Sequence, residues 1–337
     1  MNIIGEIMET KDEILQKFIV GEIIDRPKLL KDLLIKNNKK LKYRNQFYEF
    51  KELLDDFING HVSNRFLLLP GLRNTGKTTI IYQLYQYLLE SKNIEADRIL
   101  YISGELLNNY MDVNILEVVE YFVNNFHESS LMSLDKQLFI FVDEAQYDKK
   151  WSLAGKIIFD KTENIFMIFS GSSALNLEMN VDSARRLLKK PIYPLNYNEL
   201  LYLKYDIPLF NTKSLEQILF TGDIENAQKL EKNFKKTLLN IDNFNLKEWN
   251  KYLEYGGFPS SFYEKNNLII CQKLNEMVNR IIEVDLNTLS MLNSTTKIHA
   301  NRTVRFLALQ KPGEISQNKL ANVVNCSIGN ISIFYPY

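Results

Sequence analysis

The stretch from Phe66 to Thr79 constrains the fold of this chain more than any other. It reads FLLLPGLRNTGKTT: a short apolar run, the pattern G-x-x-x-x-G-K-T, and then an apolar-periodic segment from Ile80. This order predicts a buried strand, a glycine loop and a helix, which is the arrangement of a phosphate-binding P-loop. The N–H groups of such a loop and the positive end of the helix dipole converge on phosphate oxygens. We therefore predict a nucleotide-binding chain.

The residues of this loop have separate predicted tasks. Gly71 and Gly76 are expected to allow backbone angles that other residues resist. Lys77 is expected to reach the outer phosphates and to contribute to catalysis, and the Thr78 hydroxyl to coordinate Mg²⁺. The residues predicted to bind the nucleotide are Gly71, Arg73, Asn74, Thr75, Gly76, Lys77, Thr78 and Thr79.

A continuous apolar run at residues 138–142 ends in two adjacent acids, Asp143 and Glu144. Such a run is typical of a parallel strand that is buried on both faces. Acids at its carboxyl end would lie where open α/β sheets bind their ligands. We expect Asp143 to hold Mg²⁺, directly or through water, and Glu144 to polarise the water that attacks the nucleotide. Solvated acids after an ordinary strand are the alternative interpretation.

A further apolar run, at residues 165–169, leads into a serine-rich segment at residues 170–173. Some P-loop ATPases have an extra strand between their phosphate-binding and acidic strands, and that strand ends in a polar residue near the γ-phosphate. Ser170 or Ser172 fits this place. A serine-rich turn without such a role is the alternative.

Composition and charge give no sign of several classes of protein and partner. The 337 residues carry 41 basic and 41 acidic side chains, so net charge does not point to nucleic acid or a membrane surface. The two cysteines, Cys271 and Cys326, and the three histidines are scattered, which predicts neither a zinc site nor a disulfide framework. No apolar run approaches the roughly 20 residues of a membrane span. We expect a cytoplasmic protein without a membrane partner.

The chain is long enough for two or three domains, and its patterns predict four segments. Residues 1–60 are expected to be mainly helical, and residues 61–195 to form the α/β core around the P-loop. Strand–helix alternation then fades, and residues 196–300 are expected to form a helical region. Residues 301–337 form the fourth segment.

The fourth segment resembles a winged helix-turn-helix, with a short helix expected at residues 304–309 and a second from Ile315. A turn and the start of another helix at Ile328 follow. Contact with DNA is compatible with this pattern, but many such domains only pack against a neighbouring domain. The chain ends at Tyr337, inside the expected recognition helix, so the domain is either minimal or shortened. Residues 301–337 contain four basic residues and one acid, Glu314; the basic residues are Arg302, Arg305, Lys311 and Lys319.

Taken together, these motifs resemble those of predicted prokaryotic AAA-type ATPases, many of which carry a C-terminal domain of unknown function. The resemblance covers roughly residues 25–335 and rests on motifs in a fixed order. They are GLRNTGKT at 71–78, DEAQ at 143–146 with Trp151, Lys156 and Asp160, SGSS at 170–173, SARR at 183–186 with PLNYNE at 194–199, and YGGFP at 255–259.

The resemblance implies a P-loop NTPase of the AAA/ASCE type. Its parallel sheet is sandwiched by helices and followed by a helical region and a partial winged helix-turn-helix. It also implies an arginine that stabilises charge on the γ-phosphate during phosphoryl transfer. Arg185 stands where the family has glycine, and the spacing to Pro194 favours Arg186 as that catalytic residue, acting within its own subunit or on a neighbour. An arginine at the surface or in an ion pair, without a catalytic role, is the alternative interpretation of Arg186. Arg73 could instead brace the loop against Asp143 or a neighbouring subunit.

The leading hypothesis is an ATPase with ATP and Mg²⁺, whose hydrolysis drives a conformational switch. Its partner would be DNA bound through the C-terminal segment, another protein, or further copies of the chain. A nucleotide-gated switch with little turnover is the second hypothesis, against which the intact Glu144 argues. No N-K-x-D signature follows the acidic strand, which disfavours GTP. The Asp143–Glu144 pair and the helical appendage disfavour a small-molecule kinase.

Overall fold

A computed structural model gives the architecture of the chain. It describes residues 10–36, 38–172, 185–205, 207, 213–241, 244, 247–262, 264–285, 294–311, 313 and 315–329. Ser173 and Ser183, which belong to motifs named above, lie outside these ranges. The same holds for the expected end of the C-terminal helix-turn-helix beyond Gly329.

A five-stranded parallel sheet forms the centre of the fold, in the order β4-β5-β6-β3-β7, and β1 and β2 form a small antiparallel hairpin. The strands are β1 (Ile35–Lys36), β2 (Lys39–Lys40), β3 (Phe66–Pro70), β4 (Ile99–Ser103), β5 (Leu138–Asp143), β6 (Ile165–Gly171) and β7 (Leu188–Lys189). The predicted parallel α/β sheet is thus confirmed. The sequence pattern missed β7, because a strand of two residues that is not fully buried carries no apolar run.

Helices surround the sheet and make up the region after it. In chain order the longer helices are α1 (Lys11–Leu33), α2 (Asn45–Ile58), α3 (Lys77–Ser91), α4 (Ile115–Phe126), α5 (Trp151–Lys161), α6 (Tyr197–Tyr205), α7 (Ile224–Leu239), α8 (Glu248–Tyr255), α9 (Asn267–Arg280), α10 (Ser294–Leu309) and α11 (Gln317–Val324). Short helical turns occur at Ala145–Tyr147 and Pro259–Phe262, among other places.

The two faces of the sheet build two separate apolar cores. Because side chains alternate along a strand, β3 sends Phe66 and Leu68 to one face and Leu67 and Leu69 to the other. Helices α4 and α5 cover the first face, and α2 and α3 cover the second. The sandwich of sheet and helices that the resemblance implies is therefore present, and the loop between β3 and α3 lies at its carboxyl edge.

Helix α1 packs along the outer strand β4 and reaches both cores. Leu15 and Ile19 join the first core, and Leu30 joins the second. Thr10 and Glu13 close a capping box at its start, which satisfies backbone N–H groups that the first turn leaves free. A helix in this position shields the backbone groups of an edge strand, which otherwise invite pairing with another chain.

The helices after residue 196 have apolar clusters of their own. Leu200 and Leu201 of α6 pack with residues of α7 and α8, and α10 and α11 meet around Leu320 and Val324. Helix α10 begins at Ser294, ten residues before the start of the short helix that the sequence predicted there. The prediction missed these residues because they lack an apolar stripe that would mark a helix. Within the described residues, no helix combines the length and apolar character needed to cross a bilayer.

Candidate nucleotide-binding site

The loop between β3 and α3 takes its shape from two glycines that act differently. Gly76 precedes α3 with a φ of +95°, in the left-handed region that glycine tolerates best. Gly71 has no such angle. A Cβ at Gly71 would lie 2.3 Å from the carbonyl oxygen of Ile192, so glycine is required there by a close backbone approach. The prediction that both glycines supply unusual angles is correct for Gly76 and wrong for Gly71.

Lys77 is buried at the start of α3, with 4% of its surface exposed. Its Nζ atom donates to the carbonyl oxygens of Gly71 and Leu72, each at 2.9 Å. The ammonium group is thus held inside the curve of the loop. A buried charge needs such partners, because losing water is costly for an ion.

Asp143, at the end of β5, accepts hydrogen bonds from three hydroxyl groups. Thr78 Oγ1 lies 2.7 Å from Asp143 Oδ2, Tyr101 Oη lies 3.1 Å from the same oxygen, and Ser170 Oγ donates to Oδ1. Burial and the nearby Asp143 carboxylate raise the pKa of Tyr101, which keeps this phenol protonated and able to donate. Of the two candidate serines, Ser170 therefore contacts the acid, whereas Ser172 Oγ is buried without a partner among the described residues.

Glu144 has left-handed backbone angles, with φ 53° and ψ 47°. A Cβ at Gly104, the residue after β4, would lie 2.4 Å from the Glu144 carbonyl oxygen, so this glycine makes room for the turn. The Glu144 carboxylate accepts from Gln146 Nε2 and lies 4.0 Å from Arg73 Nη1. Arg73 thus lies next to Glu144, and its Nη2 donates to Tyr147 Oη at 3.4 Å.

Burial and the neighbouring Asp143 charge raise the pKa of Glu144 above its ordinary value. The hydrogen bond from Gln146 and the positive charges of Lys77 and Arg73 oppose this rise. The site thus holds two carboxylates in unlike surroundings: Asp143 accepts from three hydroxyl groups, and Glu144 lies near the cations Lys77 and Arg73. Such differences in environment are common where two acids perform different tasks.

A cleft of about 520 Å³ opens beside the loop, a volume in the range of small-molecule sites. Asn74, Thr78, Thr79 and Glu144 line it, and α9 faces the loop across it. Cations outnumber acids in its wall, which suits an anionic ligand. The cations are Lys36, Lys42, Arg44, Arg73, Lys77, Lys273 and Arg280, and the acids are Glu144 and Glu276.

Arg186 is the predicted site residue that the structure does not bring to the loop. Leu188 of β7 is level with Leu67 of β3, so Arg186 lies near the amino end of the sheet. The loop begins at the opposite end, about 20 Å away along the strand direction at the usual rise per residue. The Arg186 guanidinium forms a two-pronged ion pair with Asp160, at 2.7 and 3.1 Å.

Sequence reasoning missed three side chains next to the loop. Arg44, just before α2, contacts the carbonyl oxygen of Thr75 at 2.6 Å, and Arg280 of α9 lines the cleft. Neither stands in a recognisable pattern, because its partners are far away in the chain. Tyr101 lies within the predicted strand β4, where an aromatic residue is unremarkable. Its position, two residues before the end of β4, could have indicated that it lies near the site, because the carboxyl ends of parallel strands meet at one edge of the sheet.

The oxygens gathered at Asp143 and Thr78 fit a magnesium ion. Magnesium prefers oxygen ligands, keeps several waters, and is bound by one or two carboxylates together with substrate phosphates. A hydroxyl and a carboxylate 2.7 Å apart beside a cationic cleft supply such a donor set. Among the described residues there is no group of three or more His, Cys, Asp and Glu side chains suited to a metal ion, so an all-protein metal cage is not found in this part of the chain.

The sheet and the site define the class of this protein. Strand β6 is inserted between the loop-bearing strand β3 and the acid-bearing strand β5, as in P-loop NTPases with the additional strand. The model of the AAA domain family matches residues 63–201 of this chain.

Two archaeal proteins resemble the chain over most of its length. Uncharacterized protein MJ1637 of Methanocaldococcus jannaschii is 30% identical over 317 residues, which are 94% of this chain and 62% of that protein. Uncharacterized protein MJ1544 of the same organism is 25% identical over 312 residues, covering 90% of this chain and 59% of that protein. The chain thus spans about three fifths of the length of these curated relatives.

Solved structures show only a distant likeness. RuvB of Thermotoga maritima has 15% identity and a TM-score of 0.31, with 87% of this chain and 85% of that one covered. AMPPCP-bound DnaA of Aquifex aeolicus has 14% identity and a TM-score of 0.34, with 87% of each chain covered. Scores this low support no conclusion about the present chain.

Proposed function

We propose that this chain binds ATP together with Mg²⁺ and hydrolyses it to ADP and phosphate. One observation carries the proposal. The phosphate-loop helix and the acidic strand meet at the 2.7 Å contact between Thr78 Oγ1 and Asp143 Oδ2, with Lys77 and Glu144 beside it. The match of residues 63–201 to the model of the AAA domain family supports the same class of activity.

The loop would receive the phosphates of ATP. In this role Lys77 exchanges the carbonyl oxygens of Gly71 and Leu72 for phosphate oxygens, while the N–H groups at the start of α3 face the same anion. Thr78 and Asp143 would hold Mg²⁺, which when bound offsets the charge of the transferring phosphoryl group. Ser170 and Tyr101 orient the Asp143 carboxylate for this task through their hydroxyl groups.

Glu144 would act on the attacking water. Its carboxylate accepts the proton of that water while the water oxygen forms a bond to the γ-phosphorus, and the bond from the γ-phosphorus to the bridging oxygen of ADP breaks. Gln146 and Arg73 position the carboxylate, and Arg73 together with Lys77 favours its ionised form.

We propose that Arg186 serves a neighbouring subunit. Its place at the amino end of the sheet, against Asp160, keeps it away from the loop of its own chain. An arginine that completes a site in trans requires the chain to assemble with further copies. The geometry favours this arrangement over action within one subunit.

We further propose a division of labour along the chain. Residues 1–60 and 61–195 act as the hydrolysing core, since α1 and α2 share their apolar residues with the sheet. Residues 196–300 act as the moving part, supported by their separate apolar cluster. Residues 301–337 would contact a partner. DNA fits the exposed Arg302, Arg305, Lys311 and Lys319, and a salt-dependent shift assay with duplex DNA tests it, since binding through phosphates weakens as salt rises.

Hydrolysis is tested with the Glu144→Gln variant, which keeps the shape of the side chain and removes the base. We expect ATP to bind with unchanged affinity and kcat to fall by about 10²- to 10⁴-fold. Glu120→Gln, which changes a partly exposed glutamate of α4 that pairs with Lys161, is the matched control and should leave kcat unchanged. ATP binding with equally little turnover in the wild-type chain and in Glu144→Gln would favour the nucleotide-gated switch. Tighter binding of GTP than of ATP would overturn the choice of nucleotide.

A further inference from the structure

Arg44 lies between the phosphate loop and the first helix after the sheet, with 6% of its surface exposed. Its Nη1 atom donates to the carbonyl oxygens of Thr75 at 2.6 Å and Tyr193 at 3.1 Å. Its Nε and Nη2 atoms donate to the carboxylate of Glu199 at distances of 3.1 to 3.3 Å. These five contacts equal the number of N–H groups that a guanidinium offers. Arg44 therefore acts on protein groups and has no N–H to spare for a nucleotide.

Glu199 is equally buried and fixes the start of α6. Its Oε2 atom accepts from the backbone N–H of Asn196 at 3.2 Å, and the Asn196 side chain accepts from the Glu199 N–H at 2.9 Å. This is a capping box, which defines the first turn of a helix. One carboxylate thus joins the helix start to the guanidinium that holds the loop.

A second connection, through different residues, runs from the same segment to the same loop. The backbone N–H of Leu195 donates to the Gly257 carbonyl oxygen at 2.7 Å, and a Cβ at Gly257 would lie 1.9 Å from the Leu195 carbonyl oxygen. Two residues after Gly257, the Pro259 ring reaches the phosphate loop, with Cγ 3.8 Å from the position of a Cβ at Gly76. The segment before α6 is therefore linked to the loop at Thr75 through Arg44, and through Gly257 to Pro259, which lies close to Gly76.

Stability alone does not explain a buried pair of this kind. Replacing a buried ion pair by apolar residues of similar volume is often neutral or stabilising, whereas removing one partner is costly. What the pair provides is a fixed geometry, because the planar guanidinium holds its acceptors in set directions.

We propose that Arg44 and Glu199 are positioning residues that couple the phosphate loop to the helical region beginning at α6. The proposal rests on the proposed nucleotide binding. When phosphates take Lys77 from the Gly71 and Leu72 carbonyl oxygens, the loop backbone must adjust. Thr75 lies in that backbone, and Arg44 passes its displacement to Glu199 and so to the first turn of α6.

The test measures amide hydrogen exchange with and without a non-hydrolysable ATP analogue. In the wild-type chain the analogue should slow exchange at residues 71–78 and also at residues 197–205. The double variant Arg44→Met/Glu199→Leu replaces the ion pair by apolar side chains and avoids an unpaired buried charge. We expect it to keep the slowing at residues 71–78 and to lose that at residues 197–205 by at least about fivefold, a typical size for coupling between sites.

A matched control changes α6 without touching the loop. Lys204 of α6 pairs with the buried Glu248 of α8, with Nζ 2.8 Å from the carboxylate. The variant Lys204→Met/Glu248→Leu should keep the response of residues 197–205. If it loses that response as fully as the Arg44→Met/Glu199→Leu variant does, weakened helix packing is the cause and the coupling is refuted.

Arg44→Lys provides a second variant if the double replacement does not fold. Lysine keeps the charge but cannot serve three acceptors in a fixed fork, so the response of α6 should shrink in the same direction. A full response in Arg44→Lys and in the double variant would overturn the proposal. Failure of the proposed nucleotide binding is seen separately, because the analogue would then leave residues 71–78 of the wild-type chain unchanged.

Discussion

The Thr78 hydroxyl donates to the Asp143 carboxylate across 2.7 Å, and this contact joins two motifs that are 65 residues apart in the chain. Thr78 lies in the first turn of the helix behind the phosphate loop, and Asp143 ends the strand β5. Tyr101 and Ser170 donate to the same carboxylate from the neighbouring strands. Asp143 is therefore held in place from three directions.

The first prediction concerns the hydroxyl of Thr78. Thr78→Val keeps the shape of the side chain and removes its oxygen, whereas Thr78→Ser keeps the oxygen. A hydrogen bond to a charged group contributes about 1.5–3 kcal/mol, so we expect Thr78→Val to weaken ATP binding in the presence of Mg²⁺ by about 10- to 100-fold. Thr78→Ser should remain close to wild type. Calorimetric titration at several Mg²⁺ concentrations measures this, and equal affinity of the valine variant at all of them would exclude Thr78 as a ligand.

The second prediction assigns Tyr101 to the positioning of Asp143. Tyr101→Phe removes one of three donors to the carboxylate, so we expect a higher Mg²⁺ concentration for half-maximal hydrolysis and unchanged nucleotide binding without Mg²⁺. Tyr85→Phe is the matched control, because Tyr85 is also buried and its hydroxyl contacts only the Ile99 carbonyl oxygen, at 3.4 Å, among the contacts described. A Mg²⁺ requirement that shifts equally in both variants would contradict the assignment.

The third prediction separates Arg186 from its ion-pair partner Asp160. Exposed ion pairs contribute at most about 1 kcal/mol, so Arg186→Ala and Asp160→Ala should both fold with nearly unchanged stability. If Arg186 completes a neighbour's site, Arg186→Ala alone should lower kcat, by about 10³-fold or more. Mixing inactive Arg186→Ala with inactive Glu144→Gln should then restore activity, because mixed assemblies contain complete sites. Absence of that recovery would argue against action in trans.

The fourth prediction is a pH effect on stability at His127. Burial lowers the pKa of this half-buried histidine below 6.5, against the opposing pull of Asp97, while Lys136 and Arg98 lower it further. The folded state therefore binds fewer protons than the unfolded state in the window just below pH 6.5. By linkage, the free energy of unfolding falls as pH decreases through that window.

His127→Gln should remove this contribution. Between pH 7.5 and pH 5.5 we expect a smaller drop in Tm for His127→Gln than for the wild-type chain, measured by thermal unfolding in matched buffers. His61→Gln changes an exposed histidine and serves as the control. An identical drop in the wild type and in both variants would mean that His127 does not carry the effect.

The sequence predicted the sheet well because its signals are local. The strands β3, β5 and β6 are apolar runs. The phosphate loop after β3 and the acidic pair at the end of β5 lie at the carboxyl ends of these strands, where ligands bind. Side chains whose partners are distant were not predictable in this way. The role of Arg44 depends on its contacts with Thr75, Tyr193 and Glu199, which are distant in the chain. The sequence singled out Glu199 only as the last residue of the motif at residues 194–199.

Two further differences have simple physical causes. Gly71 needs to be glycine because the Ile192 carbonyl oxygen approaches it, and a contact across 121 positions leaves no trace in the local pattern. Arg186 was placed in the site by motif order, whereas the register of β7 against β3 puts it at the opposite end of the sheet. The register depends on which residues of two strands pair, and the sequence of a two-residue strand does not predict that pairing.

The contact between Arg44 and Glu199 spans 155 positions, and the contact between Leu195 and Gly257 adds a later segment. Contacts between residues so far apart form late, because a long loop must close first. During synthesis, Arg44 and the phosphate loop leave the ribosome well before Glu199 and Pro259. A chain synthesised only through β7 would therefore have the phosphate loop and the acids at the end of β5 without the connection to α6 that Glu199 provides.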